Sequence, residues 1–307
     1  MTDQIRIATR KSKLALWQAE HVADQLRRAH PDLQVVLVPM TTQGDRIQDR
    51  SLAAIGGKGL FIKELEVAMQ EHRADIAVHS MKDVPADLPP GMALGAILIR
   101  ADTRDALISN RYPSVDALPA NASVGTSSLR RQAQLLARRP DLRIEPLRGN
   151  VDTRLRRLDE GELHAIVLAS AGLIRLGWES RITERVPASI CLPAVGQGAI
   201  GIECRAGDDA VLARLRVLEH PATRTALNAE RAFSLCLGGS CQSPIAALAT
   251  LDAGVLKLEG LVAEPDGSHI WRDAIQGEPH HAGTLGAQLA ERILNAGAHA
   301  LLQRLSA

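Results

Sequence analysis

Three polar side chains follow a short aliphatic segment and could take part in catalysis. Ser80, Lys82 and Asp83 come after the predicted strand Ile76–Val78, and Pro85 ends the segment. In open α/β sheets, ligands bind beyond the carboxyl ends of the strands, so these side chains lie where a reaction would take place. Strand ends also carry polar residues without function, so a solvated turn with a Lys–Asp surface pair stays an equal alternative.

Two further turns between a predicted strand and a predicted helix carry hydroxyl groups and arginines. The segment Val124–Arg131 combines three hydroxyl side chains, the free N–H groups of a helix start and two guanidinium groups, which together could bind an anion. A serine N-cap with solvated arginines is the alternative, but arginines in a first turn oppose the helix dipole. Leu147–Asn150, Arg154 and Arg175 repeat this character. These turns predict one ligand with several negative charges.

Two glycine-rich loops call for separate interpretations. Gly56–Gly59 lacks the first glycine of a phosphate loop and has no Ser or Thr after Lys58, so it is not a nucleotide-binding loop of that type. Leu237–Pro244 places Cys241 between a predicted helix and a predicted strand, which is unusual for a structural cysteine, although a surface thiol without function stays open. None of the 4 cysteines has zinc-finger spacing, so we expect no metal.

The composition excludes several classes of protein. The chain has 307 residues, 46% of them hydrophobic and 23% charged, which argues against disorder and predicts two or three domains. A net charge of +1 and an aromatic content of 2% argue against nucleic-acid binding. Residues 1–17 lack the apolar segment of a secretory signal, and no apolar run reaches the roughly 18 residues that span a bilayer. We therefore expect a cytoplasmic protein without membrane contact.

Short aliphatic runs alternate with helical patterns along most of the chain before Pro244. This alternation predicts parallel or mixed α/β sheets with helices on both faces, and 99–103 and 196–201 are candidate crossings between two lobes. Beyond Pro244, the pattern predicts a separate α+β module with a three-stranded antiparallel sheet. The predicted strands are Ile5–Ala8, Val35–Val38, Ile76–Val78, a strand near Val124, Arg143–Glu145, Ala165–Leu168, Ala199–Cys204, Ile245–Leu251, Val255–Val262 and Ser268–Ile275. The predicted helices are Leu14–Leu26, Leu60–Met69, Leu129–Ala137, Val151–Leu158, Val211–Leu218, Arg224–Leu235 and Leu285–Leu294.

Motifs along nearly the whole chain resemble the porphobilinogen deaminase family, in family order and most densely from residue 5 to 244. The resemblance implies two α/β lobes like those of periplasmic binding proteins, followed by a smaller α+β domain. It implies a first domain of residues 1–98 with 199–217, a second of 99–198 and a third of 218–307. The motifs are Arg6–Arg10, Gly56–Phe61, His79–Pro85, Val124–Arg131, Leu147–Asn150, Leu192–Gly198 and Ala229–Arg231.

The resemblance also implies a reaction and a cofactor. Members of the family carry one covalent dipyrromethane per chain, and Cys241 matches the cysteine that holds it as a thioether. Four molecules of porphobilinogen are added to it with loss of ammonia, and hydrolysis then releases hydroxymethylbilane for haem biosynthesis. Asp83 matches the catalytic aspartate, which stabilises the positive charge that develops at the pyrrole and assists proton transfers.

The resemblance divides the remaining polar residues into two groups. Arginines suit both, because their planar forks pair with the carboxylates that every pyrrole ring carries. We expect porphobilinogen as the partner, a monomer, and neither metal nor nucleic acid. Ala54, Gly238 and Ser240 depart from the commonest family pattern, and Ala54 removes one possible basic contact to substrate. With Cys241, the cofactor group comprises Lys82, Ser128, Arg130, Arg131 and Arg148. The substrate group comprises Arg10, Ser12, Gln18, Lys58, Ser80, Thr126, Arg154, Arg175 and Gln197.

Two other classes of protein remain as alternatives. A two-lobed binding protein for an organic anion would explain the arginines, but neither Asp83 beside Lys82 nor the loop cysteine Cys241. A nucleotide-dependent transferase would require a phosphate loop, which the spacing of Gly56–Gly59 does not provide. The mass of the intact protein distinguishes the binding protein from the enzyme, because only the enzyme carries a covalent adduct.

Overall fold

A computed structural model of the chain describes residues 4–46, 59–239 and 243–306, without the side chains of residues 46 and 306. The chain forms two compact units. Unit 1 comprises Met1–Ala101 and Ala199–Arg224, and unit 2 comprises Asp102–Gly198 and Thr225–Ala307.

The strands and helices follow one another in α/β alternation until residue 236, and the last part of the chain is α+β. The strands are β1 Gln4–Arg10, β2 Gln34–Met40, β3 Ile76–Ser80, β4 Met92–Ile97, β5 Asp105–Ile108, β6 Ser123–Gly125, β7 Arg143–Glu145, β8 Ala165–Ala169, β9 Glu184–Val186, β10 Ile200–Arg205, β11 Ile245–Asp252, β12 Val255–Ala263 and β13 Ile270–Gly277. The α-helices are α1 Lys13–Ala29, α2 Gln43–Arg46, α3 Lys63–Gln70, α4 Leu129–Arg138, α5 Val151–Asp159, α6 Ser170–Arg175, α7 Asp209–Leu215, α8 Pro221–Cys236, α9 Ala282–Ile293 and α10 His299–Ser306.

The sheet of unit 1 has the strand order β2-β1-β3-β10-β4. β2, β1 and β3 run parallel, and β10 is antiparallel to both β3 and β4. Ile5 and Ile7 of β1 pack with α1 and α7 on one face, while Ala8 packs with α3 on the other. Helices cover both faces because the strands are apolar on both sides, as expected for a mostly parallel sheet.

Helix α1 shows how the local sequence places an element against this sheet. Ala19, Val22, Ala23 and Leu26 are fully buried and recur at the spacing of one helical face. The Ser12 side chain accepts a hydrogen bond from a backbone N–H of the first turn and so caps the helix. The helix therefore begins directly after β1 and turns its apolar face to the sheet.

The first sheet of unit 2 has the strand order β7-β6-β8-β5-β9 and repeats the plan of unit 1. β7, β6 and β8 run parallel, and β5 is antiparallel to β8 and β9. In each unit the antiparallel strand is the first one after the chain enters from the other unit. β10 follows the entry at Ala199, and β5 follows the entry at Asp102.

The second sheet of unit 2 is the antiparallel meander β11-β12-β13, which packs against α8, α9 and α10. Its core surrounds Phe233, which is fully buried and lies against Gly260, where a Cβ would come within 2.6 Å of the ring. Ala133 and Leu192 pack with Leu261 in a second apolar cluster. The meander and the α/β sheet of unit 2 therefore share buried contacts.

The predicted fold class is confirmed: two α/β sheets and a smaller α+β module with a three-stranded antiparallel sheet. The domain boundaries 1–98 with 199–217, 99–198 and 218–307 stay predictions. The last predicted strand, Ser268–Ile275, begins two residues too early, because a turn around Gly267 precedes it. Among the described residues, no helix has the length and apolar character needed to span a membrane. Six elements were not predicted from the sequence: β4, β5, β9, α2, α6 and α10.

Candidate functional site

One turn of 3-10 helix, Met81–Asp83, follows β3 and carries Lys82 and Asp83. The Met81 side chain is only 1% exposed. It packs over Gly201 of β10, where any Cβ would overlap with its sulfur atom. A buried methionine therefore anchors the turn, and the two polar side chains that follow it are half-buried.

The Asp83 carboxylate has no partner among the described residues. It forms no hydrogen bond or ion pair with any of them. The Lys–Asp surface pair, which the sequence left open as an alternative, is therefore not formed between Lys82 and Asp83. A partly desolvated carboxylate without a partner is unfavourable unless a cationic group arrives. Its position beyond a buried strand makes it a candidate for chemistry on a ligand that acquires positive charge.

A hydrogen bond between two predicted substrate residues, Gln18 and Ser80, connects α1 to the carboxyl end of β3. Gln18 is 2% exposed, and its Nε2 donates a hydrogen bond to Oγ of Ser80 at 2.8 Å. Ser12 accepts the N–H of Ala15 at 3.3 Å as the helix cap, and its hydroxyl hydrogen stays able to donate. Both serines therefore already have structural partners, and a ligand would add to them.

Arg10 lies at the carboxyl end of β1 and contacts two residues from other parts of unit 1. Its guanidinium forms an ion pair with Asp45 and lies 4.3 Å from the centroid of the Phe61 ring. Burial raises the pKa of the Asp45 carboxyl, but the hydrogen bonds and charge of Arg10, together with Thr42, outweigh it and lower that pKa. Arg10 is therefore oriented before any ligand binds, and a ligand carboxylate would share it with Asp45.

Helix α8 leads towards the predicted cofactor loop and ends in a Schellman motif. Gly238 has φ +63°, a left-handed conformation that favours glycine. Its N–H donates to the Leu235 carbonyl at 3.0 Å, and the N–H of Gly239 donates to the Ser234 carbonyl at 2.8 Å. The glycine at 238 is thus explained by the helix end that it forms.

In unit 2, the turn between β6 and α4 carries the predicted hydroxyl groups. Oγ1 of Thr126 accepts the N–H of Ser128 at 3.2 Å, and Oγ of Ser128 accepts the N–H of Arg131 at 3.5 Å. Ser128 is therefore the N-cap of α4, as the alternative interpretation required. Thr126 is 3% exposed, so its hydroxyl has little access to solvent.

The two arginines of this turn surround Asp105, a residue that the sequence analysis did not single out. Asp105 begins β5 and has no exposed surface. Arg130 reaches it at 2.7 Å and Arg131 at 2.8 Å. Nε2 of Gln197 donates to the same carboxylate at 3.0 Å, and the Cys191 thiol donates at 3.2 Å. Both guanidinium groups are therefore buried and paired with Asp105. Neither interpretation of the sequence, an anion-binding turn or solvated arginines, included an internal carboxylate.

The electrostatics of this cluster follow from its contacts. Burial alone would raise the pKa of the Asp105 carboxyl, but the charges and hydrogen bonds of Arg130 and Arg131 hold that pKa far below its usual range. Burial, with the charge of Asp105, raises the pKa of the Cys191 thiol to about 12. The thiol is therefore neutral, and Asp105 carries the only negative charge of these five side chains, which leaves the cluster at +1.

Three further arginines of unit 2 differ in whether they form hydrogen bonds with the described residues. Nε of Arg154 donates to the Gly149 carbonyl at 2.8 Å, and Arg175 donates to the Gly198 carbonyl at 2.7 Å. Burial lowers the pKa of Arg175 to about 10. Arg148 is half-buried and has no hydrogen bond or ion pair with the described residues, and burial lowers its pKa as well. A ligand carboxylate would reverse both shifts.

The predicted site residues gather at the carboxyl ends of parallel strands in each unit. In unit 1 they follow β1 and β3, and in unit 2 they follow β6, β7 and β8. Gln197, which was predicted to contact substrate, donates a hydrogen bond to Asp105. Lys58 and Cys241 lie outside the described residues. Asp105 gave no signal in the sequence, because its partners are distant in the chain and its strand has only four residues.

In each unit, guanidinium groups lie near the carboxyl ends of parallel strands, and in unit 1 the Asp83 carboxylate has no partner among the described residues. These features define an α/β protein suited to acidic ligands. The model of the dipyromethane cofactor binding domain of porphobilinogen deaminase matches residues 5–213. The model of the C-terminal domain of porphobilinogen deaminase matches residues 225–295. The chain belongs to the porphobilinogen deaminase family.

Solved structures of bacterial binding domains are similar to part of the chain. The periplasmic VFT2 domain of BvgS from Bordetella pertussis has 15% identity and a TM-score of 0.43, over 70% of this chain and 86% of that chain. A putative methionine-binding lipoprotein from Bacillus subtilis has 13% identity and a TM-score of 0.43, over 71% and 91%. The methionine-binding protein MetQ has 12% identity and a TM-score of 0.45, over 71% and 89%.

The family defines the reaction and the cofactor. The chain builds hydroxymethylbilane from porphobilinogen in tetrapyrrole biosynthesis and is a transferase that binds a dipyrromethane cofactor. The donor set fits a group with several carboxylates: Arg148 has no anionic partner in the described part of the chain, and the cluster around Asp105 retains a net positive charge. The predictions of family, function and cofactor are therefore confirmed.

Proposed function

We propose that this chain acts as a hydroxymethylbilane synthase in which Asp83 is the catalytic carboxylate. The observation that carries the proposal is the half-buried Asp83, which has no partner among the described residues. As ammonia leaves porphobilinogen, positive charge develops on the pyrrole, and a carboxylate held nearby stabilises it without first breaking an internal ion pair. The same carboxylate accepts a proton when the new bond is complete.

Cys241 is the attachment site of the dipyrromethane in this proposal. When bound, the cofactor would supply the pyrrole carbon to which the first new ring is joined, and each later ring would be joined to the ring added before it. Arg148 suits its carboxylates because it is partly desolvated and lacks an internal acceptor among the described residues. The cofactor residues are Lys82, Ser128, Arg130, Arg131 and Arg148 with Cys241.

The substrate residues differ from the cofactor residues in what a ligand must displace. Arg10 is shared with Asp45, so its contact with a substrate carboxylate is exchangeable, as successive additions require. Arg175 is desolvated, and its lowered pKa of about 10 would rise again beside a carboxylate. The proposed substrate residues are Arg10, Ser12, Gln18, Lys58, Ser80, Thr126, Arg154, Arg175 and Gln197.

The remaining expectations belong to the same proposal. The enzyme is cytoplasmic and monomeric, binds no nucleic acid, and consists of domains 1–98 with 199–217, 99–198 and 218–307. The net charge of +1 supports the absence of nucleic-acid binding. The contacts of Ala133 and Leu192 with the meander indicate that the second and third domains are packed together.

The mass of the intact protein tests the attachment site. We expect purified wild-type protein to exceed its sequence mass by one dipyrromethane, and Cys241→Ser to have the sequence mass and no activity. Cys236→Ser, which removes an exposed free thiol five residues away, is the matched control and should keep the adduct. An active wild-type protein without adduct, or an adduct that persists in Cys241→Ser, would disprove the assignment; an anion-binding protein would carry no adduct in any variant.

A further inference from the structure

Asp105 has the most extensive set of buried polar contacts at the strand ends of unit 2, and the proposed reaction gives it no role. It has no exposed surface and accepts hydrogen bonds from four side chains on three other segments of the chain. Its nearest partners, Arg130 and Arg131, are the residues that the proposed function assigns to the cofactor. The question is what a fully buried carboxylate does between two cofactor-binding arginines.

We infer that Asp105 is a positioning residue, the internal counterion that holds Arg130 and Arg131 together in the cofactor-free protein while leaving one positive charge for a cofactor carboxylate. This inference rests on the proposed function, because it takes the two arginines as cofactor residues. It adds the reason why two adjacent guanidinium groups tolerate burial before the cofactor is present.

The charges of the cluster around Asp105 do not cancel. Two guanidinium groups and one carboxylate leave a net charge of +1, and Cys191 and Gln197 are neutral. Burial of a charge without compensation is unfavourable, and Asp105 compensates only one of the two guanidinium charges. The cluster therefore keeps one positive charge. One further carboxylate would neutralise it, and every pyrrole ring of the cofactor carries carboxylates.

Both arginines have N–H donors that their contacts with the described residues do not use. A guanidinium group has five N–H donors. Nε, Nη1 and Nη2 of Arg131 each donate once, to Asp105 or to the Val167 carbonyl, which leaves two of its hydrogens. Nε of Arg130 has no acceptor among the described residues, since its donations to Asp105, Cys191 and Leu192 come from the Nη atoms. Both arginines can therefore bind a second carboxylate while they keep the first.

Hydrogen bonds through Gln197 fix the position of Asp105. Gln197, which donates to Asp105, also donates to the Thr103 carbonyl at 2.7 Å, so the carboxylate is tied to the segment before β5. The adjacent Gly196 N–H donates to Glu230 of α8, and the other oxygen of Glu230 accepts the N–H of Ala249. These hydrogen bonds connect the arginine cluster to α8 and β11, the two elements between which Cys241 falls in the sequence.

The test is a cycle of four proteins that separates the counterion role from a general structural role. Wild type and Asp105→Asn are compared in the loaded form, and the same pair is compared in the cofactor-free Cys241→Ser background, each by melting temperature and intact mass. Asn keeps the shape of Asp105 and removes its charge. We expect Asp105→Asn to carry the adduct and to lower the melting temperature of the cofactor-free protein by at least about 4 °C more than that of the loaded protein.

The expected difference arises because a cofactor carboxylate compensates the arginines only in the loaded form. Equal losses of melting temperature in both forms would overturn the inference and leave Asp105 with a merely structural role. The adduct on the wild-type protein is measured separately by intact mass. A wild-type protein without adduct would disprove the proposed function and not this inference.

A charge-restoring variant covers the case in which Asp105→Asn does not fold. Asp105→Asn combined with Arg130→Gln, in the Cys241→Ser background, has the same net charge of +1 as the wild-type cluster. We expect this double variant to fold and to melt above Asp105→Asn alone. A double variant no more stable than Asp105→Asn alone would overturn the counterion role.

Discussion

Two aspartates at strand ends show opposite ways of using a carboxylate. Asp83 follows β3 of unit 1, is half-buried and has no partner among the described residues. Asp105 begins β5 of unit 2, is fully buried and accepts hydrogen bonds from four side chains. The difference shows that burial by itself does not indicate a reacting group. A carboxylate whose charge is already neutralised positions its neighbours, whereas one without a partner can act on a ligand.

The arginines repeat this contrast. Arg130 and Arg131 donate mainly to Asp105, whereas Arg148 donates to no described residue and has a pKa that burial lowers. Removal of a paired group should affect stability first, because its partner is left buried and uncompensated. Removal of an unpaired group should affect ligand binding or turnover and leave stability almost unchanged.

The largest effect on turnover is expected for Asp83→Asn. The substitution keeps the shape and removes the charge, so turnover should fall on the order of a hundredfold or more, as for the loss of a preorganised charge at a reacting centre. The melting temperature and the adduct should be unchanged, because Asp83 forms no ion pair with the described residues. Steady-state kinetics, melting and intact mass are measured on the same preparation.

Asp87→Asn is the matched control for this substitution. Asp87 lies four residues further along the chain and is exposed, so its amide should leave turnover at the wild-type value. If Asp83→Asn kept near-normal turnover, Asp83 would be a surface residue of the turn, and the contrast with Asp105 would lose its functional meaning.

The sequence supported the α/β alternation well but left out three strands, β4 with six residues and the shorter β5 and β9. β1, β3, β8 and β10 have long aliphatic runs, which were predicted to within a few residues. β5 has four residues and β9 has three, so neither is long enough to show a period. Their positions depend on antiparallel pairing with distant strands, which local patterns do not contain.

The same limit applies to the site. Ser80, Lys82 and Asp83 were found because they follow an evident strand. Asp105 was missed because its partners at 130, 131 and 197 come together only through the sheet order. The arginines at the start of α4 were interpreted as unfavourable for the helix dipole, and the structure supplies the buried carboxylate that compensates them.

A smaller effect is expected for Arg148→Gln. Loss of one desolvated guanidinium–carboxylate contact should cost about 1.5 to 3 kcal/mol of cofactor or intermediate binding, and so slow turnover by roughly tenfold or more. The melting temperature of the Cys241→Ser background should not fall, because Arg148 has no ion pair with the described residues. Turnover and the fraction of loaded protein are the two measurements.

Arg156→Gln provides the comparison for Arg148→Gln. Arg156 lies on α5, is exposed and pairs with Glu160 at 2.7 Å, an arrangement that contributes little to stability. Its removal should leave turnover and loading unchanged. Equal activity of both variants would mean that Arg148 is an ordinary surface arginine in spite of its partial burial.

The smallest effect on turnover is expected for Gly201→Ala, which reaches Asp83 only through packing. The new Cβ would overlap with the buried Met81 side chain, so the turn that carries Asp83 must move or strain. Overpacking of this kind typically costs about 1 to 3 kcal/mol of stability. Turnover should fall by roughly severalfold, because a displaced carboxylate stabilises the developing charge less well. Melting and steady-state kinetics of the variant are compared with wild type.

Two further variants decide whether Met81 transmits this effect. Gly283→Ala adds the same methyl group on α9 where no atom lies within 4 Å, so it should leave turnover unchanged and not lower stability. Met81→Ala makes room for the new Cβ, so the double variant Met81→Ala with Gly201→Ala should lose less stability than the sum of the single variants. Additive losses would show that Gly201 acts independently of Met81. Asp83 would then be positioned by the strand alone, which would weaken the contrast with Asp105, a carboxylate held by its own partners.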